Sequence, residues 1–150
     1  MYNYAFEILI VDDSQEDVEL ITEVLRDKMP SLNLHVAENG SLALAFLERT
    51  GPFAQAPRPD IIFLDLNMPG YDGREILVRI KQNANFCSIP VIILTTSAAE
   101  QDIALSYQNH ANCYIKKPAD LAEFSDLMET LLEFWFSDVK LATDRHYSVS

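Results

Sequence analysis

Three aspartates stand where their carboxylates would meet. Asp12 and Asp13 close the apolar run Ile8-Leu9-Ile10-Val11, and Asp65 closes the run Ile61-Ile62-Phe63-Leu64. Short apolar runs rich in β-branched residues and cut off by polar ones read as strands buried on both faces. In an open parallel sheet, ligands bind beyond the carboxyl ends of the strands, beside the point where the strand order reverses. Carboxylates gathered there repel one another: at ~4 Å and an effective dielectric of about 20, each pair costs on the order of 4 kcal/mol. A cation must accompany them, and an all-oxygen site that keeps some water suits Mg²⁺. Asp is also a common turn and N-cap residue, which would account for either cluster alone. Two further runs weigh against that reading. Val91-Ile92-Ile93-Leu94 ends in Thr95-Thr96-Ser97, and Cys113-Tyr114-Ile115 ends in Lys116-Lys117-Pro118. A rim carrying three acids, a hydroxyl donor and a lysine fits a phosphoryl group beside Mg²⁺.

The elements that must position these residues alternate between strand and helix five times. Residues 6–11 read as the first strand. A helix follows from Ser14 to Met29, with Ser14 as cap, Asp17 three residues on, and an apolar stripe of Val18, Ile21, Leu25 and Met29. Leu34 to Ala37 is a shorter strand, and Gly40 and Ser41 open a helix through Arg49. The stretch from Thr50 to Pro59 holds three prolines and a glycine and reads as a surface loop. Strand 61–64 and a loop to Gly73 lead into a helix from Arg74 to about Asn83. Strand 91–94 precedes a small, polar helix from about Ala98 to Asn109, whose weak apolar face suits either a mobile element or an exposed one. Strand 113–115 is the fifth. The last helix starts at Asp120, runs past Phe134 and becomes apolar nearly all round at its end, so something must cover it. A polar tail runs from about Thr143 to Ser150. This alternation predicts an α/β fold: a flavodoxin-like, doubly wound, five-stranded parallel sheet of order 2-1-3-4-5, with helices on both faces. Strands 1 and 3 then lie side by side, which brings Asp12, Asp13 and Asp65 together.

At 150 residues the chain is expected to form a single domain, 1–150, with an extended C-terminal helix and polar tail over about 131–150 and no output domain. Its 11 Lys and Arg against 23 Asp and Glu give a formal charge of −12, which argues against a nucleic-acid partner and against anchoring on anionic lipid. No signal-like segment precedes the first strand and no apolar stretch reaches spanning length, so a cytoplasmic location is expected. Cys87 and Cys113 lack the close pairing of a metal or redox motif and are read as reduced packing residues. His35, His110 and His146 are scattered and read as surface or packing residues, with an interface role conceivable for His110.

With these residues assembled, the chain resembles the response-regulator receiver domain of two-component signalling over residues 6–136. The resemblance rests on Val11-Asp12-Asp13-Ser14, Leu64-Asp65-Leu66-Asn67-Met68-Pro69 with Asp72-Gly73, Pro90 to Thr95, and Lys117-Pro118. Each motif is weak alone; five in order at the right strand ends are specific. Asp72-Gly73-Arg74-Glu75, Ile80-Lys81-Gln82-Asn83, Leu94-Thr95-Thr96-Ser97, Asn112-Cys113-Tyr114 and Phe134-Trp135 are further similar to the small stand-alone regulators that accompany cyanobacterial phytochromes. In that group the receiver is the whole protein, the kinase is a light-sensing histidine kinase, and the protomers form dimers. This chain departs in keeping Lys117-Pro118 where some members have other residues, and Val139-Lys140-Leu141-Ala142 matches their ending only loosely.

The resemblance implies a phosphoacceptor signalling protein that takes part in its own phosphorylation and dephosphorylation, and is not otherwise an enzyme. Asp65 would accept the phosphoryl group from a phosphohistidine kinase, with a phytochrome-type kinase as the expected partner in the phosphorelay and the downstream target unspecified. Mg²⁺, with Mn²⁺ or Ca²⁺ able to substitute, would be held by Asp13 and Asp65, by Asp12 directly or through water, and by the backbone carbonyl of Asn67. Lys117 and Thr95 would bind the phosphoryl oxygens, and Thr95 and Tyr114 would form the switch. Asn67 and Ser97 sit at positions that influence how fast the phosphoryl group hydrolyses. The family also implies a cis bond before Pro118. A homodimer is expected on the last helix, through Phe124, Leu131, Phe134, Trp135 and Phe136, because its apolar surface exceeds what one sheet edge covers; the alternative is that Val139 and Leu141 fold back over these aromatics and leave a monomer. Two other functions compete: a pseudo-receiver that only binds partners, and an Asp-based, Mg²⁺-dependent phosphatase. The phosphatase needs a second acid two residues after its nucleophile, where this chain has Asn67. A flavodoxin-like electron carrier would need a Ser-, Thr- and Gly-rich phosphate loop after the first strand, where this chain has two acids.

Overall fold

The computed structural model describes residues 6–68 and 72–141. Pro69, Gly70 and Tyr71 in the acceptor loop, and the polar tail with His146, lie outside the described residues. Five parallel strands, β1 (Glu7–Val11), β2 (Asn33–Ala37), β3 (Ile61–Leu64), β4 (Val91–Thr95) and β5 (Cys113–Lys116), pair in the order β2-β1-β3-β4-β5. The helices α1 (Gln15–Lys28), α2 (Gly40–Glu48), α3 (Gly73–Gln82), α4 (Glu100–Gln108) and α5 (Leu121–Glu133) alternate with them, and a single 3₁₀ turn, Gly51–Phe53, lies within the proline-rich loop. This is the expected doubly wound sheet.

The continuous apolar runs become the fully buried strands β1, β3 and β4, whose residues alternate between two cores. Leu9, Val11, Ile62, Leu64 and Ile93 face a layer with Phe46, Leu47, Ile76 and Ile80 of α2 and α3. Ile8, Ile10, Phe63, Ile92 and Leu94 face a layer with Ile21, Leu25, Phe124 and Met128 of α1 and α5. Each such side chain contributes about 1.5–3 kcal/mol through burial. The weaker strands β2 and β5 form the edges and are only partly covered. Among the described residues no helix is long and apolar enough to cross a membrane.

At the carboxyl rim the turns are pinned by side-chain caps. Ser14 Oγ accepts from the Asp17 N–H at 3.3 Å, Asn39 Oδ1 from Leu42 at 2.9 Å, Asp72 Oδ1 from Arg74 at 2.8 Å and Asp120 Oδ1 from Glu123 at 3.1 Å. Helix α4 has no such cap, and Ser106 is its one buried residue, while Leu105 and Tyr107 are exposed.

Two expectations are corrected here. The last helix does not leave its aromatics bare: Phe124, Leu131 and Phe136 are at most 8 % exposed within their own chain. Helix α5 continues into a π-helical turn, Phe134–Asp138, and the Val139 N–H bonds the Phe134 carbonyl at 2.9 Å. The returning chain packs Val139 and Leu141 onto the α1–α5 core, and Phe6 meets Phe136 with ring centroids 5.0 Å apart. Of the five residues expected at a dimer contact, only Phe134 is largely exposed, with Trp135 half-buried. Cys87 is an exposed loop residue and does not pack, whereas Cys113 is half-buried in β5.

Candidate functional site

The parallel register places the ends of β1 and β3 side by side, with Val11 paired to Leu64 and the Asp65 N–H bonded to the Val11 carbonyl at 2.9 Å. Carboxylate oxygens of Asp12, Asp13 and Asp65 consequently lie within 4.8 Å of one another. Asp12 and Asp65 are buried, and Asp13 is exposed at the mouth. On the other flank, the Lys117 N–H bonds the Thr95 carbonyl at 2.7 Å and extends the β4–β5 pairing beyond Lys116. Its ammonium then reaches inward, 2.7 Å from Asp12 Oδ2, 2.8 Å from Asp17 Oδ2 and 3.3 Å from Asp65 Oδ2. Lys117 is 4 % exposed, so it is not a solvated rim lysine.

No cis peptide bond occurs among the described residues, so the expected cis Lys117–Pro118 bond is not found. The strand-like bond to Thr95 already aims Lys117 into the pocket, and a trans peptide suffices.

Asp17, three residues after the Ser14 cap, is also a pocket carboxylate. Three acids therefore bond one ammonium, and a fourth, Asp13, stands beside them. Burial alone would lower the Lys117 pKa, but the hydrogen bonds to Asp12 and Asp17 and the charges of Asp12 and Asp65 outweigh it and hold the amine protonated well above its usual range. The acids remain short of positive charge: burial pushes the Asp12 carboxyl up, against the hydrogen bond and charge of Lys117. An all-oxygen, partly open cluster with excess negative charge suits a hard divalent cation.

Asn67 and Thr95 close the third side. Asn67 Nδ2 donates to Thr95 Oγ at 3.3 Å, and Thr95 is fully buried. The Tyr114 hydroxyl donates to the Ser97 carbonyl at 2.9 Å, and desolvation raises its pKa. A second network, joined by no motif in the sequence, lies beside this one. Arg74 pairs with Asp102 through Nε and Nη2, both at 2.8 Å, with Asp72 at 3.0 Å, and more loosely with Asn67 Oδ1 at 3.4 Å. The Arg74 hydrogen bonds, with one from Ser97, hold Asp102 down to about 2. Asp102 therefore stays ionised at neutral pH, and the link is lost only as the pH falls towards that value.

Of the three histidines, His35 lies midway along the edge strand β2, packs on Phe46 at 5.0 Å and bonds the carboxylate of Glu7, at the amino end of β1, at 2.9 Å. His110 follows α4 with a left-handed φ of 69°.

A model of the response regulator receiver domain family matches residues 8–129. The chain belongs to that family. It is 42 % identical over 134 residues to the response regulator Rcp1 of Synechocystis sp. (strain ATCC 27184 / PCC 6803 / Kazusa), covering 89 % of this chain and 91 % of the relative. Its structure is similar to that of the phosphorylated cyanobacterial phytochrome response regulator RcpA, with a TM-score of 0.90 and 40 % identity over 93 % of this chain and 99 % of that one. The Mn²⁺-bound form of Rcp1 matches with a TM-score of 0.89 and 40 % identity, over 92 % of this chain and 99 % of that one.

Proposed function

We propose that Asp65 is the phosphoacceptor of this receiver and that its phosphodonor is a phytochrome-type histidine kinase. The observation that carries the first part is the division of labour among the acids. Asp12 is the more tightly held of the two buried acids, accepting from the Ser14 N–H at 2.8 Å and from Lys117 at 2.7 Å, where the bonds to Asp65 are 3.2 and 3.3 Å. Asp13 is exposed at the mouth of the pocket. Asp65 sits at the end of a central strand, its Oδ1 held by the Asn67 N–H at 3.2 Å and its Oδ2 by Lys117 at 3.3 Å. Those bonds orient the carboxylate for in-line attack on phosphorus. The new P–O bond forms as the P–N bond to the donor imidazole breaks, and the imidazole leaves with a proton from water. Lys117 offsets the charge carried by the phosphoryl oxygens, and the Thr95 hydroxyl exchanges Asn67 for one of them. Tyr114, whose hydroxyl lies on the loop after Thr95, responds to that exchange.

Asp13, Asp65, Asp12 and the Asn67 carbonyl would hold Mg²⁺. The ion supplies the positive charge that lets a phosphoryl dianion enter an acid pocket. The choice of kinase rests on the likeness to Rcp1 and RcpA. Incubation with autophosphorylated histidine kinases, one of them a phytochrome, tests it: the phytochrome-type kinase is expected to transfer fastest, and equal or faster transfer from unrelated kinases contradicts it.

A homodimer belongs to the same reading, now resting on exposed Phe134 and half-buried Trp135. Phe134→Ala with Trp135→Ala is expected to shift sedimentation at tens of micromolar towards the monomer, roughly by the micromolar affinity that a few hundred Å² of apolar contact supports. A wild type that sediments as a monomer, phosphorylated or not, refutes the dimer.

A further inference from the structure

Helix α4 is attached to the body by charge more than by apolar packing. Its N-cap, Ala99, offers no side-chain bond, its one buried residue is Ser106, and Leu105 and Tyr107 are largely exposed, Tyr107 touching the body through its hydroxyl, which accepts the Tyr114 N–H at 3.1 Å. Against this, Asp102 in its first turn receives two hydrogen bonds at 2.8 Å from Arg74, at the start of α3, and one at 2.6 Å from Ser97 Oγ. Two parallel N–H···O bonds to one carboxylate are the strong, directional form of an ion pair. Arg74 has other duties at the same time. Its Nη1 bonds both oxygens of Asp72 at 3.0 Å, and its Nη2 lies 3.4 Å from Asn67 Oδ1. Asn67 in turn donates to Thr95, and Ser97 accepts from the Tyr114 hydroxyl at 2.9 Å. A chain of hydrogen bonds thus runs from the acceptor loop through Arg74 to the first turn of α4 and on to Tyr114.

We propose that Arg74 is a positioning residue of the phosphoryl site and, with Asp102, a latch that couples the state of Asp65 to the seating of α4. The inference rests on the acceptor reading above. When Thr95 turns its hydroxyl to a phosphoryl oxygen, the Asn67 amide loses that partner and reorients. Arg74, bonded to the other end of the same amide, passes the change to Asp102 and so to α4. In the reverse direction, Asp102 anchors Arg74 and through it fixes where Asn67 stands over the phosphoryl group. The pair therefore sets the lifetime of the acyl phosphate as well as the order of α4. The Arg74 side chain is 38 % exposed and that of Asp102 13 %, so neither is a core residue whose loss would unfold the protein.

The experiment follows amide hydrogen exchange over residues 100–108 and the half-life of the phosphoryl group on wild type, Arg74→Ala, Arg74→Lys, Asp102→Asn and Arg74→Ala/Asp102→Asn. Acetyl phosphate with Mg²⁺ serves as donor. In wild type, phosphorylation is expected to change exchange in α4. In Arg74→Ala and Asp102→Asn, α4 exchanges roughly three- to tenfold faster before any phosphorylation, and phosphorylation adds little more. The half-life shifts several-fold in each variant, and the double variant shifts no further than the larger single one, as expected of residues acting through one link. Arg74→Lys keeps a charge but cannot make the fork and the Asn67 contact together, so it restores part of α4 protection and less of the half-life. Unchanged half-lives in labelled variants, or single effects that simply add, overturn the inference while leaving Asp65 as acceptor. A wild type that takes no label overturns the acceptor reading and the inference with it.

Discussion

Lys117→Met is expected to destabilise the metal-free protein by roughly 3–5 kcal/mol, the usual cost of removing one partner from a buried ion pair. The effect is large because Asp12, Asp17 and Asp65 all lean on this ammonium, and two of them are themselves buried. For a domain of this size that is about a ten-degree fall in melting temperature. Saturating Mg²⁺ should return more stability to the variant than it adds to wild type, because a cation bound only by the folded state stabilises by mass action and here replaces the missing charge. Asp13→Ala has the opposite sign. It removes an exposed acid from a crowded cluster, so the metal-free variant should be at least as stable as wild type and should lose the gain from Mg²⁺. Thermal melts with and without Mg²⁺ check both. A Lys117→Met variant as stable as wild type would mean that the acids share protons among themselves, with the lysine incidental.

Gly73→Ala is expected to cost about 3 kcal/mol or more, at or beyond the upper end of overpacking, and to abolish phosphoryl acceptance. A Cβ at this position would fall on the Asp65 carbonyl oxygen and 2.7 Å from the Leu66 Cα. Those are backbone atoms held in place by the sheet and by the Gly73 N–H bond to the Leu66 carbonyl at 3.2 Å, so they have little room to give. Gly51→Ala is the control. Gly51 has a φ of +57° but open space around it, so alanine there carries only backbone strain of about 1–2 kcal/mol and leaves the pocket untouched. Denaturant unfolding of the two variants separates the effects. A Gly73→Ala variant that unfolds like wild type would show that α3 can draw back from the acceptor strand.

The parts of this molecule visible in the sequence are those written in local pattern. Apolar runs cut off by Asp12, Asp65, Thr95 and Lys116 mark the strands, their polarity at the carboxyl ends and hence one rim. The alternation with amphipathic helices left a single natural strand order, which the sheet adopts. What stayed hidden depends on how far a side chain reaches. Asp17 follows the Ser14 cap in the first turn of α1 by pattern, but its bond to a lysine 100 residues away appears only once α1 and the end of β5 meet at the same rim. Arg74 and Asp102 look like ordinary surface charges until α3 and α4 are set side by side. The aromatic end of α5 misled for a related reason. Its periodicity showed more apolar surface than a sheet edge needs and left two covers open, a second protomer or the returning Val139 and Leu141; it could not show that a π-helical turn seats those two residues on this core.

Phosphoryl uptake on Asp65 is the claim on which the rest depends. Incubation of wild type and Asp65→Asn with acetyl phosphate and Mg²⁺, followed by intact-mass measurement, tests it directly. Wild type is expected to gain the mass of one phosphoryl group, chelating the metal to prevent the gain, and Asp65→Asn to show none. Label of equal yield on Asp65→Asn would place the acceptor elsewhere in the acid cluster and contradict the account.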